Sequence, residues 1–356
     1  MRSTMIKRLT LALLVQVSAM YAGQAYISSY DSPLLGMAVP YVVILPNSYA
    51  QDTAQGKRFP VLYLLHCAGC NHMTWLQPGI GNMNTLIDSV HFIAVAPSDN
   101  GLYGYGWWLD SPKLPNYAHS RFLVEELKPK IDSLYATLPG RLSTGVAGWS
   151  MGGFGALHNI IKHPDVYGSA FSIKGGVDPT LPLNPTWGSD FGLYTVLGND
   201  TTTDIPNWNA VNILLNIHRL TTESVHLGAY SGRNDVWFAI ENRRLDTIMT
   251  GLSMPHLFFE TDEGHYNIPD SSMLRVLCFF DSVFVHSLAA VRPRAGFNAW
   301  MQRLAMPVGN VVWYDIRGRR LAAFPATDKR YLHNASGVRI AVMPGAVKRV
   351  VFYGAP

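Results

Sequence analysis

The segment that most constrains this chain is Gly148-Trp149-Ser150-Met151-Gly152. It fits G-x-S-x-G, a pattern that places a serine on a sharp, strained turn between a strand and a helix. The residues two before and two after must then be small enough for close backbone approach. The flanks have the required character. Thr144-Gly145-Val146-Ala147-Gly148 reads as a short strand, and Gly153 to His163 reads as a helix stopped at Pro164. The pentapeptide alone is equally a tight structural turn; the strand before it and the helix after it favour the strained serine turn.

The rest of the chain repeats the same alternation. Apolar runs at Tyr41–Leu45, Pro60–Leu65, Phe92–Ala96, Gly168–Ile173, Val225–Tyr230 and His256–Phe259 read as strands. Continuous apolar runs of this length mark strands covered on both faces. Helical spacing appears over Phe122–Leu134, with Glu125 and Glu126 on its polar side, then over Phe238–Met249 and Met273–Ser287. Strand–helix alternation of this kind gives an α/β fold, a mostly parallel central sheet with helices on both faces. Two stretches break the rhythm and read as long loops, Gly101–Tyr117 and Thr180–Trp208, both rich in aromatics, glycine or proline. Loops longer than a dozen residues in a compact domain are usually functional.

At 356 residues the chain is long enough for one large domain and a small appendage. Three regions differ in charge. Residues 1–25 hold three basic and no acidic residues; residues 26–290 hold 14 basic and 22 acidic, net −8; residues 291–356 hold 11 and 2, net +9. The division marks two modules, a catalytic domain over 26–290 and a basic C-terminal all-β module with its linker over 291–356. An acidic body makes nucleic acid an unsuitable partner. The N-terminal residues read as a secretory signal, with Arg2, Lys7 and Arg8 before an apolar stretch from Leu9 to Met20 and a cut expected after Ala25. A membrane anchor is the alternative. No internal apolar run is long enough to span a bilayer. The expected location is secreted or cell-surface. Cys67, Cys70 and Cys278 are too few for a disulfide framework. The C-x-x-C spacing of the first two matches redox enzymes, but a structural disulfide or two plain thiols suit the surroundings better.

Chemistry follows from order along the chain. A serine hydroxyl needs a base, and the base needs an orienting acid. On a sheet of this kind the order is serine, then Asp or Glu, then His. His265 follows the last strand in a Gly264-His265 turn and is the candidate base. His158 and His163 lie on the helix leaving the serine, His226 inside a strand and His286 inside the final helix. Asp235, after the strand ending near Tyr230, is the candidate acid, although an aspartate before a helix is also a natural N-cap. Asp262 and Asp178 are the reserves. The oxyanion of an acyl-transfer intermediate needs two backbone N–H donors. Met151, the residue after the serine, supplies one; Ala68, in the loop after the Pro60–Leu65 strand, is the choice for the other, with Cys67 second. Trp107, Trp108 and Trp149 are candidate substrate contacts, since aromatic faces stack on sugar and phenolic rings; packing within the loops is the equal alternative. No metal site is expected.

At this point the sequence resembles the esterase D-like group of α/β-hydrolases. That group includes S-formylglutathione hydrolases, tributyrin-type esterases, the feruloyl and acetylxylan esterases of carbohydrate esterase family one, and mycolyltransferases. The resemblance is carried by Tyr63-Leu-Leu-His-Cys-Ala-Gly-Cys-Asn-His72 with Trp75, by Trp107-Trp108-Leu-Asp-Ser111, and by Glu126-Leu-Lys-Pro-Lys-Ile-Asp132. Ala147-Gly-Trp-Ser-Met-Gly-Gly-Phe-Gly-Ala156, Asp235 with Asn242-Arg243, and Gly264-His265 complete it. It implies an α/β-hydrolase fold, a Ser150–His265–Asp235 triad, the amides of Met151 and Ala68 as oxyanion hole, and no cofactor. Most relatives carry glycine where this chain has Cys67 and Cys70. Export and the aromatic loops point to a feruloyl or acetyl ester on a plant polysaccharide. An acyltransferase of the mycolyltransferase type and a general short-chain esterase are the alternatives, and a non-catalytic binding protein would require a broken triad.

The tail is different again. Asn310–Leu321 reads as a strand, a turn and the start of another strand, Gly337–Val342 and Lys348–Phe352 read as two more, and Tyr314-Asp315-Ile316-Arg317-Gly318-Arg319 resembles the C-terminal sorting tails of type IX-like secreted proteins. Such a tail would contact a surface or the secretion machinery; a small carbohydrate-binding module and a stabilising cap are the alternatives. A chain cut near residue 290 is therefore expected to fold and to keep its kcat/KM on small soluble esters. Steady-state kinetics on the truncated protein check this, and a large loss with the domain still folded would move the boundary.

Overall fold

The computed structural model describes residues 23–99, 105–179, 190–291, 310–315, 320–325 and 339–342. Eight strands, β1 (Gln24–Ser32), β2 (Met37–Leu45), β3 (Val61–Leu65), β4 (Ile93–Pro97), β5 (Thr144–Trp149), β6 (Ser169–Ile173), β7 (His226–Gly232) and β8 (His256–Thr261), share one sheet. Their order is β1-β2-β4-β3-β5-β6-β7-β8. β1 pairs antiparallel with β2 and β2 with β4; every pairing from β4 to β8 is parallel. Three helices matter for the site: α1 (Met151–Lys162), α2 (Ala239–Gly251) and α3 (Asp270–Val291). Among the described residues no helix is long and apolar enough to cross a membrane.

The continuous apolar run of β3 shows how the layers arise. Side chains alternate across a strand, so Val61, Tyr63 and Leu65 enter one apolar layer with Val146 and Phe154. Leu62 and Leu64 enter the other, with Ala147, Phe171 and Phe280. Both faces are dry, which is why the run carries no polar residue. The chain leaves β3 in one direction, to β4, and returns on its other side as β5. That reversal opens a crevice beyond the carboxyl ends of β3 and β5, where ligands of open α/β sheets bind.

Three departures from expectation have physical reasons. β1 has no apolar rhythm because nearly all of it lies exposed on the sheet edge. Its first two residues, Gln24 and Ala25, pair with Leu45 and Ile44, so a cut after Ala25 would start the strand at Tyr26. Only Glu125 of the acidic pair faces solvent, paired with Arg121. Glu126 turns inward and accepts hydrogen bonds from Ser32 Oγ (2.5 Å) and Leu34 N–H (3.1 Å), tying the β1–β2 turn down. Its helix begins with a helical turn at His119–Arg121 and passes through a π-helical segment, Phe122–Leu127, before the α-helical Lys128–Leu134. The Thr180–Trp208 stretch holds short helices at Leu193–Leu197 and Ile205–Val211; buried Trp208 anchors the second through its indole N–H on the Gly198 carbonyl (2.9 Å). Most of the expected signal, Tyr103, Trp187 and the Lys348–Phe352 strand lie outside the described residues. In the tail, β9 (Asn310–Asp315), β10 (Arg320–Pro325) and β11 (Arg339–Val342) pair antiparallel in the order β10-β9-β11.

Glu241, in the first turn of α2, fixes the chain as it leaves β6. Its carboxylate accepts the backbone N–H groups of Val177 (2.8 Å) and Asp178 (3.0 Å). Burial is the largest influence on its ionisation and, aided by the Asp178 charge, outweighs those donors, raising the carboxyl to about 7. A carboxyl raised on folding stabilises most below its unfolded value, and that contribution is lost as pH climbs through the folded one. Glu241→Gln keeps an acceptor but cannot ionise. Its Tm relative to wild type is expected to improve from pH ~5 to ~7.5 and then to level off; a difference that stays flat across that range would contradict the assignment.

Candidate active site

Ser150 stands at the tip of β5 with φ +57° and ψ −115°, a conformation that a side-chain-bearing residue adopts only under constraint. The constraint is visible on either side. A Cβ on Gly148 would lie 2.2 Å from the Gly152 carbonyl oxygen, and a Cβ on Gly152 would lie 2.0 Å from that of Leu65. Neither position admits a side chain, which is the physical content of the motif. Ser150 N–H donates to the Ile173 carbonyl (2.9 Å), so β6 holds the turn from the far side. Met151 begins α1, so its amide has no intrahelical acceptor and lies at the positive end of the helix dipole.

His265 arrives from the loop after β8. Its Nε2 lies 2.9 Å from Ser150 Oγ, and its Nδ1 lies 2.8 Å from Asp235 Oδ2. An ionised carboxylate accepts only, so these partners assign the proton to Nδ1 and leave Nε2 as acceptor of the serine hydroxyl. Asp235 follows β7, and its other oxygen accepts the N–H groups of Trp237 (2.9 Å) and Phe238 (3.1 Å). It is thus both a turn cap and the partner of the imidazole. Burial is the largest single influence on Asp235 and opposes its ionisation. The hydrogen bond and charge of His265, with the two backbone donors, together outweigh it and hold the carboxyl below its ordinary value. The reserve carboxylates lie elsewhere: Asp262 is exposed beside Arg233, and Asp178 bonds Arg244 (2.6 Å) and Asn212 (2.8 Å). His158 packs flat on Phe154, and burial pushes it down to about 3.

On the opposite side, β3 ends in the loop carrying Ala68. His66, fully buried, contacts the Cys67 carbonyl through Nδ1 (2.8 Å), and its Nε2 accepts Asp99 N–H (3.0 Å). These partners fit one neutral tautomer, protonated at Nδ1, so the 3.4 Å approach of Asp99 Oδ1 to Nε2 is a contact and not an ion pair. Carbonyl and N–H of a trans peptide point in opposite directions. Pinning the Cys67 carbonyl therefore also sets the direction of the Ala68 N–H. Cys67 and Cys70 form a disulfide across the same turn, reinforced by Cys70 N–H on Cys67 O (3.1 Å). Cys278 is a buried free thiol, pushed up by burial. Among the described residues no group of three or more His, Cys, Asp or Glu is placed to hold a metal ion.

The three tryptophans expected to meet substrate do not face it. Trp107, Trp108 and Trp149 are 2%, 0% and 4% exposed. Trp107 packs edge-on against Phe154 and donates to the Phe191 carbonyl (2.6 Å); Trp108 donates to the His66 carbonyl (3.2 Å) behind the Ala68 loop. Trp149 donates to the His265 carbonyl (3.1 Å). Their indoles brace the loops because a buried N–H must find an acceptor. Among the described residues, Trp237 and Tyr266, 42% and 70% exposed, reach solvent just after Asp235 and His265. Sequence reasoning passed over both; their nearness to the acid and the base was the available signal.

The Esterase family model matches residues 32–236. The chain belongs to this family. Its fold is that of the α/β-hydrolases, and His265 lies beyond the matched segment. Esterase MT1326 of Mycobacterium tuberculosis (strain CDC 1551 / Oshkosh) is 26% identical over 248 residues, 64% of this chain and 52% of that protein. An endo-1,4-beta-xylanase/feruloyl esterase of Xylanibacter ruminicola is 28% identical over 141 residues, 38% of this chain and 19% of that protein. The chain thus spans about half the length of the first of these relatives and a fifth of the second. A solved ferulic acid esterase superposes with a TM-score of 0.57 at 22% identity, covering 74% of this chain and 99% of its own, a likeness of fold.

The close approach at Gly152 yields a test in this esterase. Gly152→Ala must push α1 away from the end of β3. The expected cost is about 1–3 kcal/mol of stability, seen as a fall in Tm, together with a drop in kcat. An unchanged Tm and kcat would show that the approach is not enforced.

Proposed function

We propose that this protein is an exported serine esterase that cleaves feruloyl or acetyl esters of plant polysaccharide through an acyl-enzyme. The observation that carries the mechanism is the unbroken line from Ser150 Oγ to His265 Nε2 (2.9 Å) and from His265 Nδ1 to Asp235 Oδ2 (2.8 Å). Ser150 Oγ attacks the ester carbonyl while its proton passes to Nε2. The negative oxygen that forms is met by the N–H groups of Met151 and Ala68. The tetrahedral intermediate collapses, the C–O bond to the alcohol breaks, and the imidazolium returns its proton to the leaving oxygen. Water then repeats the sequence on the acyl-serine, with His265 taking the water proton, and releases the acid and free Ser150. Asp235 keeps the imidazole in the productive tautomer and balances its transient charge.

The substrate class rests on the feruloyl esterase named among the relatives and on the exposed rings of Trp237 and Tyr266 beside the site. Export rests on the basic and apolar pattern of residues 1–25. The charge division at residue 290 supports a separate tail module that meets a surface or the secretion machinery.

Ser150→Ala is expected to lower kcat on p-nitrophenyl acetate roughly 10³-fold or more, His265→Ala similarly, and Asp235→Asn somewhat less. Wild-type turnover in Ser150→Ala would end the mechanism. Release of ferulate or acetate from defined arabinoxylan oligosaccharides tests the substrate class, and failure to release either would remove it while leaving the mechanism standing.

A further inference from the structure

Lys174 is the first residue after β6, and its side chain is fully buried. Its φ is +48°, a left-handed conformation uncommon for a residue with a side chain. Burying an ammonium group is costly unless its donors are matched. Here the match is complete. An ammonium has three N–H donors, and Nζ has three acceptors: the Gly264 carbonyl at 2.6 Å, the Asn267 carbonyl at 2.5 Å and Glu263 Oε2 at 3.2 Å. The Tyr230 ring lies 5.0 Å away on β7. Burial lowers the lysine's affinity for its proton, and Glu263 and then Asp235 act against that.

The two carbonyls are not arbitrary acceptors. Gly264 and Asn267 bracket His265 and Tyr266, so one cation grips the turn carrying the histidine on both sides. Glu263 is held in turn, since its Oε1 accepts Ser272 Oγ (2.9 Å) at the start of α3. The neighbour of Lys174 completes the frame, because the Ile173 carbonyl takes the Ser150 N–H (2.9 Å). Lys174 N–H itself donates to the Tyr230 carbonyl (2.7 Å). Two consecutive residues at the end of β6 therefore hold the serine turn by backbone and the histidine turn by side chain.

We infer that Lys174 is a positioning residue, clamping the turn that carries His265 so that Nε2 meets Ser150 Oγ and coupling its charge to that histidine. The inference rests on the serine-esterase reading above. His265 is met by Ser150 from the β5 turn, Asp235 from the β7 exit and Tyr266 from its own loop, while Glu263, two residues before it, pairs with Lys174 and Ser272. Lys174, from the β6 exit, is the cation of this set. A lysine serving stability alone would be replaced by a methionine of similar length with a change in Tm and little in turnover per folded molecule. A clamp behaves differently, because misplacing a base by about 1 Å costs on the order of 10²-fold.

The test is Lys174→Met in the full chain, assayed on p-nitrophenyl acetate, with near-UV circular dichroism reporting the folded fraction. The expected result is a kcat loss on the order of 10²-fold per folded molecule, KM little changed, and an acid limb of kcat/KM moved to higher pH, since a nearby positive charge has gone. A folded variant whose kcat and pH profile match wild type overturns the inference, and so does a loss that only tracks the folded fraction. Should the variant not fold, Glu263→Gln decides. It leaves the ammonium on both carbonyls but removes its counter-charge, so the acid limb must move to lower pH; an unmoved limb overturns the inference. Ser150→Ala, run alongside, separates the two readings. If it is inactive while Lys174→Met is normal, only the clamp fails; if it stays active, the serine mechanism itself has failed.

Discussion

A methyl group on Gly152 would sit 2.0 Å from the Leu65 carbonyl, and this contact governs the rest of the site. It lets the first turn of α1 lie directly against the end of β3. The amide after Ser150 and the loop carrying Ala68 are thereby brought to the same spot from segments some eighty residues apart. The strained φ of Ser150 is the local cost of that approach, and the hydrogen bond to Ile173 O is one of the interactions that hold it. A looser packing would relieve the serine and separate the two donors.

The second organising principle is polar. The loops around Ser150 and His265 carry backbone carbonyls that need fixed partners, and the chain supplies buried side chains from the sheet, its strand ends and a packed neighbouring loop. Trp108 takes the His66 carbonyl, His66 the Cys67 carbonyl, Trp149 the His265 carbonyl, and Lys174 those of Gly264 and Asn267. Loops built this way are held by groups whose own positions are set by core packing. Geometry is thus passed outward from strand to loop, and a substituted indole or ammonium would be felt at the reacting atoms without touching them.

Much of this was legible from the sequence. Ser150, Asp235 and His265 each stand where a strand ends, in an order the sheet imposes, and a five-residue motif marks the first of them. The apolar runs gave the inner strands because both faces of each are dry. The exposed edge strand β1 had no such signal, since no apolar face is required of it. Burial of Trp107, Trp108 and Trp149 was hidden because composition shows that a loop is aromatic but not which way its rings turn. Lys174 was hidden more deeply. In Ile173-Lys174-Gly175-Gly176 a lysine reads as the solvated end of a strand, and its acceptors lie about ninety residues away.

The three residues of the proposed triad are also distributed in a way that bears on how the chain folds. Ser150 and His265 are 115 residues apart, and their alignment requires β8 to have docked beside β7. Parallel pairings between distant segments are slow to form, because loop closure costs entropy before contacts repay it. Until β8 docks, the serine hydroxyl and the imidazole are not held within hydrogen-bonding distance of one another. On the serine-esterase reading, a chain whose β8 has not docked carries the nucleophile without its base, so the chemistry is complete only when the sheet is.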